Sequence, residues 1–100
     1  MEDSFDGSGE TQHTFTLFVS GTSVKSGHAI ENLRRICDTY FTNNYEIEII
    51  DITRDKEQAV IHQIVAIPTL IRTGPEPRRI ILGDLSDTDK VLKILNIREI

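Results

Sequence analysis

The order in which the apolar periodicity of this chain changes constrains its fold more than any other feature. Residues 14–19 are rich in aromatic and β-branched residues and read as a strand, and Ser20–Ser23 break the run. From Ser23 to Phe41 the apolar positions are Ala29, Ile30, Leu33, Ile36, Cys37, Tyr40 and Phe41. Spacings of three and four define one face of a helix, with Ser23 or Ser26 at its N-cap. Residues 45–50 alternate polar and apolar before Asp51 and read as a second strand. A short polar stretch, 55–64, carries Ala59, Val60 and Ile64 and reads as a helix opening near Asp55. Two further β-branched runs, Thr69–Arg72 and Arg79–Leu82, flank Thr73–Pro77, whose Gly and Pro residues predict a turn. Ser86, three residues before Asp89, predicts a cap for a last helix through about Asn96.

The resulting order is β-α-β-α-β-β-α. A strand-helix-strand crossing places the first two strands parallel, and the tight Gly/Pro turn makes the last two an antiparallel hairpin. This is the order of a thioredoxin-like α/β domain. One hundred residues suffice for one such core and not for two. The predicted domain is 13–100. Residues 1–12 carry Glu2, Asp3, Asp6 and Glu10, no Lys or Arg, and Phe5 as apolar anchor, which predicts a disordered acidic tail.

Charge and composition remove several function classes. Of the sixteen acidic residues four lie in that tail, so the domain itself, with eleven basic residues, is close to neutral. Its Lys and Arg are dispersed rather than gathered into a face that would displace counterions, which argues against nucleic acid as partner. No apolar run reaches the ~18 residues of a membrane span, and the N-terminus lacks the basic and apolar regions of a secretory signal. A cytoplasmic protein is expected. With Cys37 the only cysteine, an internal disulfide and CxxC chemistry are excluded.

The most specific local signal is Ala66–Leu70, an Ile-Pro-Thr just before a strand. In thioredoxin-like folds such an element holds a cis proline, here Pro68, opposite the CxxC of redox members. The stretch in the CxxC position is Thr22–Ser26, which has no thiol. Cys37 shares a helix face with Leu33, Tyr40 and Phe41 and is read as core; a thiol protein using Cys37 is the alternative reading. His13, His28 and His62 are scattered without metal-ligand spacing, and Asp84 is read as a turn carboxylate. No cofactor, metal site or catalytic constellation is expected, hence no enzyme.

Four blocks carry a family resemblance: Leu17–Gly21, Ile49–Ile52, Ala66–Leu70 and Pro75–Ser86. The last, Pro-x-Pro-x-Arg-x-Ile-x-Gly-Asp-Leu-Ser, discriminates best, and the chain resembles the KaiB family from about Thr14 to Leu95. The resemblance implies a non-catalytic adaptor that docks on a KaiC-type RecA-family ATPase ring in clock or stress-related signalling. KaiA or a sensor kinase with a KaiB-like domain would be further partners, and a homodimer or homotetramer the resting assembly. A self-assembling structural module is a further alternative. The resemblance suggests Arg79, Lys25 and His28 as partner contacts. His28 and Gln63 stand where relatives carry Arg and Lys, and the acidic extension lies at the N-terminal rather than the C-terminal end. The resemblance also implies fold switching of the C-terminal half, with Ile94 and Asn96 at the positions of a family glycine and aspartate. Isoleucine favours helix over glycine, so the unbound chain is expected to be thioredoxin-like, with 86–96 helical.

Overall fold

The computed structural model describes residues 12–42 and 44–97; the predicted disordered tail lies outside them, apart from Gln12. Its elements are β1 (His13–Val19), α1 (Val24–Tyr40), β2 (Tyr45–Asp51), α2 (Lys56–Ile61), β3 (Thr69–Gly74), β4 (Arg79–Leu82) and α3 (Thr88–Ile94). That is the β-α-β-α-β-β-α order read from the sequence. The four strands form one sheet in the order β2-β1-β3-β4. β1 runs parallel to β2, from His13 beside Tyr45 to Val19 beside Asp51. β3 lies antiparallel to β1, with Phe18 beside Thr69, and β4 returns along β3 with Arg79 beside Arg72.

Strand alternation sends Phe15, Leu17, Val19, Leu70 and Ile81 to one face. There they meet Ala29, Leu33, Ile36 and Cys37 of α1 and Val91, Leu92 and Leu95 at α3, and all of these are buried. Burial of each large side chain stabilises by about 1.5–3 kcal/mol. The opposite face presents Phe18, Thr69 and Ile71, and the His62 ring at the end of α2 lies 5.2 Å from that of Phe18.

Of the two candidate caps for α1 it is Ser23 that acts: its hydroxyl accepts from the Ser26 N–H at 3.2 Å. α3 departs from expectation at both ends. Its cap is Asp87 rather than Ser86, with the Asp87 carboxylate accepting from the Lys90 N–H at 3.1 Å. The Ser86 N–H is instead engaged by the Asp84 carboxylate, also at 3.1 Å. The helix stops at Ile94 because Asn96 turns left-handed, at φ 61°. The Asn96 N–H then donates to Lys93 O and the Ile97 N–H to Leu92 O, a Schellman closure that satisfies carbonyls of the last turn. α2 ends in the same way around Gln63, at φ 56°.

One buried charge joins these parts. Arg72 is 4% exposed; its Nη1 donates to Leu95 O and its Nη2 to Pro77 O, both at 2.9 Å. It thereby fastens the end of α3 to the β3–β4 turn.

Candidate functional site

Because Phe18 pairs with Thr69, the β1–α1 turn and Pro68 share one end of the sheet. The Ile67–Pro68 bond is cis, as are Gly74–Pro75 and Glu76–Pro77. At this end the serines of 20–26 hold the backbone. The Ser26 hydroxyl, itself buried, accepts from the Ser20 N–H at 3.0 Å, while Ser23 caps the helix. A thioredoxin-like scaffold is thus present, and its hydroxyls serve the turn rather than chemistry.

Cys37 lies in the core with no exposed surface. Burial first, and the neighbouring Asp38 charge second, push its thiol from 9.0 up to about 12. A thiol that neither ionises near neutrality nor meets solvent is not a nucleophile. The thiol reading therefore has no geometric support. His13, His28 and His62 sit at β1, α1 and the end of α2. Among the described residues no three His, Cys, Asp or Glu side chains gather to hold a metal ion.

The polar cluster that does form joins the first turns of α1 to the β4–α3 loop. Asn32 Nδ2 donates to Asp84 O at 2.9 Å, pinning the loop to α1. The Asp84 carboxylate accepts from the Ser86 hydroxyl and N–H, and these bonds hold its pKa below the usual carboxylate range. The charges of Lys25 and His28 add to the same direction. Lys25 also borders a shallow depression of about 150 Å³ with Leu82, Asp84 and Lys90. Leu82, 56% exposed, supplies an apolar patch beside these charges.

Lys25 therefore borders the same depression as Asp84, and His28 lies near enough for its charge to act on that carboxylate, which reads from sequence only as a turn carboxylate. Arg79 is not with them. It starts β4, at the other end of that strand, beside Arg72 on the helix-covered face, and its Nε is buried without a hydrogen-bond partner. Pro68 is buried under the end of β3. Ile94 packs partly against the core and Asn96 is exposed just past the end of α3, and neither borders the depression that Lys25 lines. Sequence reasoning did not single out Asn32 or Arg72, and it gave Ser86 only a capping role. Arg72 left one signal, a cation at the end of an apolar run. The bond of Asn32 to the loop joins residues 52 positions apart and left none.

A family model described as the KaiB domain matches residues 16–97. The chain is 42% identical over 81 residues to the circadian clock protein KaiB3 of Synechocystis sp., covering 81% of this chain and 79% of that protein. It is 38% identical over 80 residues to the circadian clock oscillator protein KaiB of Picosynechococcus sp., covering 80% and 77%. Among solved structures, the N-terminal domain of Synechococcus elongatus SasA superposes with a TM-score of 0.70 at 21% identity, covering 90% of this chain and 89% of that one. Mitochondrial thioredoxin 3 of Saccharomyces cerevisiae follows at 0.68 and 13% identity, covering 88% and 81%. At such identities both structures speak to the fold alone.

Proposed function

This chain belongs to the KaiB family, and from that premise we propose that it is a non-catalytic adaptor docking on a KaiC-type RecA-family ATPase ring. The observation that carries the reading is the depression in which Lys25 and Lys90 flank Asp84 beside the exposed Leu82, with His28 on the same helix as Lys25. An apolar side chain ringed by charge is suited to recognition. The leucine anchors by desolvation, and the charges set encounter rate and partner choice. Arg79 stands at the far end of β4 and joins the contact only where an interface runs along that edge strand.

In this reading the loaded ring recruits or displaces further partners, a KaiA-type protein or a sensor kinase with a KaiB-like domain. A partner domain of the same fold, as the N-terminal domain of SasA has, would compete for a common docking place on the ring. The protein works in the cytoplasm. The reading also includes a rearranged resting form of the C-terminal half, in dimers or tetramers, from which the thioredoxin-like form is drawn. Ile94 weighs that balance toward the helix.

Co-migration of the purified protein with its cognate KaiC-type ATPase, with and without nucleotide, tests the adaptor role. A complex in at least one nucleotide state is expected. The double substitution Lys25→Glu with His28→Glu should weaken it by about tenfold or more, the scale of a charge reversal in an interface. No complex in any nucleotide state overturns the reading.

A further inference from the structure

On the sheet face away from α1 and α3, a groove of about 350 Å³ runs between α2 and the strands. Phe18 and Ile71 form its floor, Ile61 and His62 its α2 side, and Thr73 and Arg78 the end nearest the β3–β4 turn. Ile61 is 65% exposed, so this wall offers bare apolar surface. The Thr73 hydroxyl lies 2.8 Å from that of Thr14, which sets the open end of the groove beside the start of β1. Residues 1–11 join the domain at that point through Gln12.

The charges facing this region are unevenly placed. Glu46 and Glu48 of β2 border the adjoining depression over Thr14 and Thr16, while Arg78 stands at the groove itself, with His62 facing it from α2. Residues 1–11 hold Glu2, Asp3, Asp6 and Glu10, no Lys or Arg, and Phe5 between two of the acids. Such a segment is repelled from the β2 half of the face and drawn to the half that carries Arg78. Its length suits the distance. Phe5 precedes Gln12 by seven residues, a stretch that reaches about 23 Å when fully extended and about 15 Å on a random-coil average. From Thr14 to Phe18 the groove follows β1 for about 14 Å.

We propose that this groove is the docking site of the chain's own residues 1–11, with the Phe5 ring against Ile61 and the groove floor and Asp3 and Asp6 turned to Arg78. The segment then covers the apolar surface that Ile61 exposes beside the sheet, and any partner of that face must first displace it. This does not depend on which ATPase the protein serves.

NMR of the full chain is the test. Nuclear Overhauser cross-peaks from the Phe5 ring to the methyl groups of Ile61 and Ile71 are expected. Phe5→Ala should remove them and shift the amides of Thr16, Ile71, Thr73 and Arg78. Arg78→Glu should release the segment in the same way, with strand and helix shifts of the domain unchanged. Cross-peaks that persist across a dilution series mark an intramolecular occupant. Cross-peaks that vanish on dilution assign the groove to the segment of a second copy and overturn the proposal. Absence of any cross-peak from Phe5 to the groove, or amides unmoved by Phe5→Ala, overturns it equally.

Discussion

Among single residues, the chemistry of this chain is decided by what burial withholds. Cys37 is the one thiol, and its pKa near 12 follows from desolvation inside α1's apolar face. Below pH 9 the thiol is protonated in both folded and unfolded chains. Above it the unfolded chain releases a proton that the native state retains, so stability falls as pH rises from 9 toward 12. The alkaline limb of a urea-stability profile should therefore flatten in Cys37→Ala, and alkylation of the native thiol should be far slower than in denaturant. Gly21 shows the opposite kind of constraint. A Cβ there would collide with the Asp51 carboxylate, which accepts from the Gly21 N–H and from Thr53 N and Oγ1 at 3.0 and 2.7 Å. Gly21→Ala should cost about 1–3 kcal/mol in chemical denaturation, and less in an Asp51→Ala background, where the obstacle is gone. The hydrogen bonds hold the Asp51 pKa below 3.8, so its contribution is present above that value and lost as pH falls through the folded one. Cys37 was legible from its three-and-four spacing alone. The pairing of Gly21 with Asp51 was not, because two groups so far apart in the chain meet only through the β1–β2 register.

Among the elements, helix ends carry more information than helix middles. α2 and α3 both close through a left-handed residue that is not glycine, Gln63 and Asn96. A side chain in that conformation costs about 1–2 kcal/mol, less for Asn, which bonds locally. Gln63→Gly should accordingly raise stability by up to about 1 kcal/mol in denaturant titration, and Asn96→Gly by less. Ile94 acts in the other direction. It is the last helical residue of α3 and rests partly on the core, so Ile94→Gly removes helix propensity and apolar packing together. A loss of about 1–2 kcal/mol is expected, enough to change a two-state ratio roughly five- to thirtyfold. Secondary chemical shifts across 91–97 read the consequence: helical through Ile94 in the unbound protein and moved toward strand in Ile94→Gly. A strand over Val91–Ile97 in the unsubstituted protein, or no movement in the variant, would contradict this account. The element types were all legible in the periodicity. The shortening of α3 at both ends was not, since Asp84 claims the Ser86 amide and Asn96 turns the chain after local propensity has been satisfied.

Across the whole molecule, Arg72 is the residue on which the layers depend. It holds the last carbonyl region of α3 and the β3–β4 turn from inside the protein, and burial and the charge of Arg79 lower its pKa without displacing its proton. Arg72→Met keeps much of the stem and abandons two carbonyls, so a loss of about 2–4 kcal/mol is expected, with α3 amides exchanging fastest. Equal protection of α3 in the variant would show that apolar packing alone retains the helix. Arg72 also marks where local information ends. Strand and helix identity, the parallel first crossing, the closing hairpin and the want of reactive thiols follow from periodicity, turn residues and composition. Each depends on neighbours along the chain, so the order of residues was enough to fix it. The placing of Lys25 beside Asp84, the pairing of Arg79 with Arg72, and the groove between α2 and the sheet arise only in the packed molecule. Each joins residues from separate elements, and which side chains meet is set by strand register and layer packing rather than by local pattern.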